Sequence, residues 1–306
     1  MELFRSNATI DLPPLAHHSG SCGCAGLPRR GFTALLAAAA LTGLSSAAVA
    51  QPIPECKRSG FTKLVPADQL EQAAGQQYVQ MLRQADGQRA LASKDHAQLQ
   101  RLRYIAQRII PFTAGCNDRS QQWRWEVNLI GSEQVNAFCM PGGKIAFYLG
   151  ILAKLQLSDD EVAMIMGHEV AHALLEHARE RVGKTTATRG AIELGTALLG
   201  LGNTGRLFAD MGGQLLTLRF SRDDEAEADA LGLVLAAKAG YDPASGVTLW
   251  RKMMEASKGA PPQWLSTHPS GDARIADIES RLPRVQPLFD AAAKPSQRFE
   301  PPQRRS

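Results

Sequence analysis

The chain has 306 residues, of which 44% are hydrophobic, 21% charged and 6% aromatic, a mix that excludes a disordered, collagenous, coiled-coil or multi-span membrane protein. Its 34 Lys and Arg against 30 Asp and Glu leave a formal net charge of +4, too small a surplus to demand a basic face for nucleic acid.

Residues 1–50 read as an export signal apart from the fold. Arg29-Arg30-Gly31-Phe32 precedes an Ala/Leu run from Ala34 to Leu44, and Ala48-Val49-Ala50 stands before Gln51. That is the charged, apolar and cleavage-site order of a signal peptide. The run is short for a bilayer span. Arg-Arg-x-Phe ahead of a weakly hydrophobic core resembles a twin-arginine signal, with an ordinary secretory signal as the alternative; either exports the protein. Cys22 and Cys24 lie upstream of the run and make a poor lipidation site. Past residue 50 the cysteines are Cys56, Cys116 and Cys139. One disulfide and one leftover thiol suit an oxidising compartment; Cys56–Cys116 would tie the N-terminus down, and all three pairings stay open.

In chain order, Pro66 to Ala92 and Lys94 to Ile110 read as helices, the second with Leu99, Leu102, Ile105, Ala106 and Ile109 at three- and four-residue steps. Trp123 to Ile130 alternates as a strand that puts Trp123, Trp125, Val127 and Leu129 on one face. Val135–Met140, Pro141-Gly142-Gly143 and Lys144–Tyr148 form a strand–turn–strand hairpin, followed by a short helix from Leu149 to Leu155. Ser158 and Glu161 make a capping box for a helix expected to run to about Val182. Residues 183–213, rich in Gly, Thr, Ala and Leu, read as helices over the core. Ser221 to Asp224 starts another helix ending near Gly240, Asp242-Pro243 opens a third, and a last runs from Gly271 to Leu282. The Pro/Arg-rich stretch 286–306 reads as a loose tail.

The chemistry concentrates in Gly167-His168-Glu169-Val170-Ala171-His172. Histidines at i and i+4 lie about 40° apart around a helix, so both imidazoles reach one ion. Glu169, beside the first, reaches a water rather than the metal; zinc acidifies that water and Glu169 takes its proton, making a nucleophile for a peptide carbonyl. The flanking Met164, Ile165, Met166, Val170 and Ala171 mark a buried helix, where a His-Glu-His cluster needs a purpose. His177 lies about 180° round the same helix, and the ten-residue spacing of the metzincin pattern falls on Ala178, so His177 is assigned to a polar face with Arg179, Glu180 and Arg181. A second helix presents Glu225 and Asp229 at i, i+4. One carboxylate can bind zinc while the other holds a ligand histidine. His96 reads as a surface residue.

With these residues in place, the chain resembles the zinc endopeptidases that include the CAAX prenyl protease, the bacterial heat-shock protease HtpX and the mitochondrial Oma-type protease. The resemblance rests on Asn136-Ala-Phe-Cys-Met-Pro141-Gly142-Gly143, on Gly-His-Glu-x-x-His, on Ser221-Arg-x-x-Glu225-x-x-Ala-Asp229 and on Thr267-His268-Pro269 followed by Arg274. It spans about residues 60–285 and implies one zinc per chain on His168, His172 and Glu225, Glu169 as general base, and Asp229 behind the ligands. His268 would stabilise the oxyanion, or occupy zinc's open position and keep the enzyme latent, or serve structurally as a cap on the final helix. Asn136 would hold the substrate backbone, and Arg274 would contact a carboxylate of the site or the substrate.

The expected fold is α+β, mainly helical and zincin-like, with a small sheet packed on the His-Glu-x-x-His helix. The chain divides into a signal at 1–50, a metallopeptidase domain with N-terminal helices at 51–285, and the tail. The resemblance points to the compact exported branch, a periplasmic protease of misfolded or misassembled envelope proteins that has no nucleic-acid partner and for which peripheral association with the outer membrane stays open. The alternatives are a zinc-stabilised chaperone or latent protease that binds clients without routine cleavage and, more weakly, a peptidoglycan amidase.

Overall fold

The computed structural model describes residues 56–198, 215, 218–258, 262–268 and 272–303. The expected signal peptide and the part of the Gly-rich stretch beyond residue 198 lie outside them. Among the described residues no helix is long and apolar enough to cross a membrane.

Two helices open the fold, α1 (Ala67–Gly87) and α2 (Ala97–Ile109). Leu70, Ala74, Tyr78, Leu82 and Ala85 form the buried stripe of α1. This helix stops at Gly87, short of the Ala92 that the sequence predicts. Arg89 turns the chain at φ 54°, and residues 90–92 run beside a strand instead: Ala92 N–H donates to Leu129 O at 3.0 Å and Gly131 N–H to Ala90 O at 2.6 Å. Edge pairing satisfies backbone groups that a longer helix would have kept to itself. His96, read as a surface residue, caps α2 by accepting from Gln98 N–H.

The strands are β1 (Glu126–Ile130), β2 (Ala137–Met140) and β3 (Lys144–Tyr148), in the order β1-β3-β2. β1 runs parallel and β2 antiparallel to β3. β1 starts later than predicted, yet Trp123, Trp125, Val127 and Leu129 are buried together as the alternation requires. The hairpin turn needs its glycines: Gly143 sits at φ 75°, and a Cβ there would lie 2.8 Å from the Trp125 ring.

The next helix, α3 (Leu149–Leu155), matches the sequence reading and leads into the centre of the molecule, α4 (Asp159–Leu174). Both halves of the Ser158–Glu161 capping box are made. Almost every residue of α4 is buried, as in a helix apolar on all sides. The fully buried Arg101 on α2 donates to Asp159 at 2.6 Å and to Leu157 O at 2.7 Å, fixing where α4 begins.

Beyond Leu174 the structure departs from the sequence reading. The helix predicted to run to Val182 breaks at Glu176, which takes the left-handed conformation at φ 60°, and α5 (His177–Leu198) sets off anew. Among the described residues four further helices follow: α6 (Arg222–Lys238), with a Ser221–Asp224 capping box, α7 (Ser245–Ala256), α8 (Gln263–Thr267) and α9 (Asp272–Ala291). α9 outruns the predicted Leu282, carrying Pro283 and Pro287 within it. The expected loose tail is a strap. Phe299 N–H donates to Asp159 at 2.9 Å, Arg298 pairs with Asp160 at 2.8 Å, and Gln98 donates to Glu300 O at 2.9 Å. Carboxylates at the start of α4 and side chains of α2 give the tail's polar groups partners that composition does not reveal.

Of the three pairings open in the sequence, Cys56–Cys116 is formed and Cys139 is a buried free thiol. The bridge spans 60 residues, and a loop of that size stabilises the fold by about 2–4 kcal/mol through the unfolded chain. Cys116→Ser is therefore expected to lose about that much in urea unfolding, and added reductant to affect only the parent protein. Equal midpoints for parent and variant under oxidising conditions would exclude the bridge.

Candidate metal centre

The candidate centre depends on how closely α4 and α6 approach. A Cβ added to Gly167 would lie 2.7 Å from Gly232 O, and one added to Gly232 would lie 2.7 Å from His168 N. With hydrogen at both positions the two backbones touch, closer than the 8–10 Å axial spacing that ordinary side chains impose. His168 and His172 on α4 then face Glu225 and Asp229 on α6.

One ligand atom each from His168, His172, Glu225 and His268 lies within 4.8 Å of the others, and all four residues are buried. His168 Nε2 is 3.0 Å from His172 Nε2 and 3.6 Å from Glu225 Oε2. His172 Nε2 is 3.4 Å from Glu225 Oε1, and His268 Nδ1 is 2.9 Å from that oxygen and 3.2 Å from His168 Nε2. A tetrahedral ion about 2.0–2.1 Å from each donor would set the donors roughly 3.3 Å apart. The spacing fits such an ion.

The protons fit too. His168 Nδ1 faces Asp229 Oδ1 at 2.9 Å and carries its proton there, because an ionised carboxylate only accepts. Its Nε2 is then a bare lone pair directed into the cluster. Burial alone would raise the Asp229 carboxyl, but the Arg274 guanidinium and the His168 hydrogen bond hold it below the usual range. Burial likewise opposes ionisation of Glu225, and His268, His172 and His168 overcome it, so its carboxyl is held far below the ordinary range. Burial pushes the His172 imidazole well down, towards the neutral form a metal needs. For His268 burial also lowers the value, but Glu169 and Glu225 together raise it above the ordinary one.

Glu169 lies beside the cluster, 2% exposed. Trp264 Nε1–H donates to its Oε1 at 2.7 Å, and His268 Nε2 is 3.5 Å from the same oxygen. Trp264 stacks on Trp250 and is a functional contact absent from the sequence reading; only its place in Trp264-Leu-Ser-Thr-His268 pointed that way. His177 was misassigned. The break at Glu176 turns it inward, 2% exposed, with Nδ1 at 2.8 Å from His172 Nδ1. Arg274, expected to contact a carboxylate of the site or the substrate, contacts those of the site: it bonds Glu225 and both oxygens of Asp229 and lies 3.7 Å from the centre of the Trp250 ring. The Asn136 side chain does not reach the cluster and accepts from its neighbour Ala137 N–H at 3.0 Å.

Asn136, Cys139, Glu169, His172, Phe220 and His268 are among the walls of a cavity of about 40 Å³. That space holds a water or two, not a peptide. The Cys139 thiol there is pushed well up by burial and by Glu169, which favours the protonated form over the nucleophilic thiolate. A hollow of about 1010 Å³ between α1 and the start of β1 is larger, but among the described residues no metal-ligand group gathers there.

A His-Glu-x-x-His helix crossed by a carboxylate-bearing helix, beside a small mixed sheet, defines a metallopeptidase of the zincin type. The chain belongs to peptidase family M48, which it matches over residues 96–282. It is 37% identical over 166 residues to the mitochondrial metalloendopeptidase OMA1 of Schizosaccharomyces pombe, covering 53% of this chain and 48% of that one. Against human mitochondrial metalloendopeptidase OMA1 the identity is 33% over 176 residues, 54% of this chain and 33% of that one. Against the beta-barrel assembly-enhancing protease of Escherichia coli it is 27% over 170 residues, 52% of this chain and 35% of that one. The match thus spans half or less of the length of these relatives.

Gly232→Ala tests the helix crossing. The added methyl meets three backbone atoms of Gly167 and His168 on α4, so the variant is expected to lose about 1–3 kcal/mol in denaturant unfolding and to bind metal more weakly. Unchanged stability and metal affinity would show that the crossing does not set the site.

Proposed function

We propose that this chain is an exported zinc endopeptidase that hydrolyses peptide bonds in misfolded or misassembled envelope proteins. The observation that carries the proposal is the convergence of His168, His172 and Glu225 beside the Glu169 carboxylate. Those three residues would hold zinc, one per chain, which when bound supplies Lewis acidity to water and to a carbonyl. Glu169 takes the proton of the attacking water and returns it to the leaving amine. Trp264 holds the Glu169 carboxylate by its Oε1 throughout. Asp229 keeps the His168 proton on Nδ1, and Arg274 neutralises charge on Glu225 and Asp229.

Substrate would bind by strand addition to β2. Asn136 O accepts from Tyr148 N–H, so Asn136 and Phe138 turn their backbone groups to β3, and Ala137 and Cys139 turn theirs to the open edge. Backbone pairing reads little side-chain identity, which suits clearance of damaged proteins. Asn136 is the proposed substrate-binding residue, its amide exchanging Ala137 N–H for the incoming chain. Export is supported by the signal-like residues 1–50, and an envelope role by the Escherichia coli relative, named for enhancing β-barrel assembly. Both support the proposed periplasmic location, while the OMA1 relatives are named as mitochondrial.

A latent resting form is favoured by one observation, the presence of His268 among the four converging donors. His268 in the fourth position leaves no room for substrate, and the small cavity agrees. A chaperone that holds clients without cutting them is a further alternative.

On this reading Glu169→Gln retains one zinc per chain and loses casein cleavage by about 10²–10⁴-fold, the usual weight of general base catalysis. No zinc in folded parent protein would overturn the reading, and equal cleavage by parent and variant would remove Glu169 from its role. Trp264→Phe keeps the stacking and drops the N–H, so cleavage should fall about tenfold at unchanged zinc content. His268→Ala should raise cleavage if His268 enforces latency and lower it if His268 serves the transition state; each outcome selects one role.

A further inference from the structure

The two histidines of the motif are supported differently. His168 has a carboxylate behind it, Asp229, as metal-binding histidines commonly do. Behind His172 stands another imidazole. His177 Nδ1 is 2.8 Å from His172 Nδ1, the ring centres are 4.9 Å apart, and the planes meet at 73°. The second nitrogen of His177, Nε2, lies 3.4 Å from Glu227 Oε2 on α6. The donor order follows from the ends of this chain. His172 Nε2 points at the other donors and must present its lone pair, so the proton sits on Nδ1 and is donated to His177. His177 Nδ1 is then the acceptor, its own proton is on Nε2, and the Glu227 carboxylate accepts it.

The backbone is shaped to make this contact. A continuous helix would carry His177 to the far side from His168. Glu176 instead adopts φ 60°, a left-handed conformation uncommon for any residue with a side chain. It is held by both carboxylate oxygens to Arg179, at 2.9 and 3.0 Å, and is 7% exposed. A turn that costs conformational energy and returns one side chain to the back of a candidate ligand positions that side chain for a purpose. Phe220, stacked on His172 at 4.0 Å, closes the other flank of the ring.

We propose that His177, backed by Glu227, is the positioning residue for His172, fixing its tautomer and ring orientation and through them the affinity of the centre for its metal. The inference rests on the zinc endopeptidase reading above and adds a residue to it. His177 is not itself one of the converging donors.

The test is zinc affinity of the purified full chain by chelator competition, with unfolding of the metal-free protein measured alongside. His177→Phe keeps an aromatic ring and removes the acceptor. His177→Asn places a carbonyl oxygen where Nδ1 was. The Phe variant should bind zinc about 10–100-fold more weakly, the cost of losing a partner behind a ligand, and the Asn variant should recover most of that loss. Glu227→Gln, on a side chain more than half exposed, should weaken binding by only about two- to fivefold. It is the informative variant if His177→Phe does not fold. Parent-like affinity in His177→Phe, or an Asn variant as weak as the Phe variant, overturns the positioning role. So does parent-like affinity in Glu227→Gln when that is the only folded variant. His172→Ala separates this from failure of the underlying reading. If the parent binds one zinc and His172→Ala does not, the metal centre stands and only the His177 result decides. If neither binds zinc, the reading and the inference fall together.

Discussion

α4 and α6 cross with their backbones in contact at Gly167 and Gly232, and the candidate centre depends on that distance. Each helix brings a pair at i, i+4: His168 and His172 on one, Glu225 and Asp229 on the other. Such spacing aligns the pair along its own helix, but only the separation of the two helices decides whether a carboxylate reaches an imidazole. Larger residues at the crossing would move the axes apart by an ångström or more, and every separation of 2.9–3.6 Å between these side chains would open beyond coordination range. The burial of α4 on all sides, the capping box that fixes its start and the Arg101–Asp159 pair all serve to hold one helix still against the other.

Charge gives a second constraint. Glu169, Glu225 and Asp229 are three carboxylates in one buried region, and the guanidinium of Arg274 faces the last two. With neutral imidazoles the carboxylates outnumber cationic groups by two, an arrangement too costly to bury uncompensated. A bound divalent ion would supply the missing charge and also keep the facing lone pairs of His168 and His172 apart. Metal binding and the folding of this region are therefore coupled on the proposed reading, as at other sites where the ligands are preassembled at a cost.

What the sequence could reveal followed from the range of each interaction. The motif helix, the capping boxes at Ser158 and Ser221, the hairpin and the short α3 were legible because each rests on contacts within a few residues. His177 was not: its assignment assumed an unbroken helix, and the break at Glu176 has no glycine or proline to announce it. Trp264 meets Glu169 across 95 positions, and the tail meets Asp159 across 140, so neither contact leaves a local pattern. Gly232 is a lone glycine in a helical run, a signal that hints at close packing but not at its partner. Arg274 was read correctly as a partner of carboxylates, and which carboxylates only the fold could decide.

The short α8 joins the parts of the site that latency and catalysis would share. Trp264 N–H donates to Val135 O, just before the edge strand, while its indole holds Glu169. Thr267 O accepts from the N–H of Phe220, the residue stacked on His172, and His268, at the end of α8, enters the donor cluster. If α8 moved as a body to free the fourth position, it would release Glu169 at the same time and disarm the general base. If only the His268 side chain turned, Trp264 would keep its place and the edge of β2 would stay as it is. His268 N–H is bonded to Trp264 O, so the backbone at that point is tied to α8, while the side chain is held by Glu225 on α6. On the latent reading, turning the His268 side chain alone would break its contacts with Glu225 and His168 and keep the α8 backbone bonds, whereas moving α8 would break both sets and free Glu169 as well.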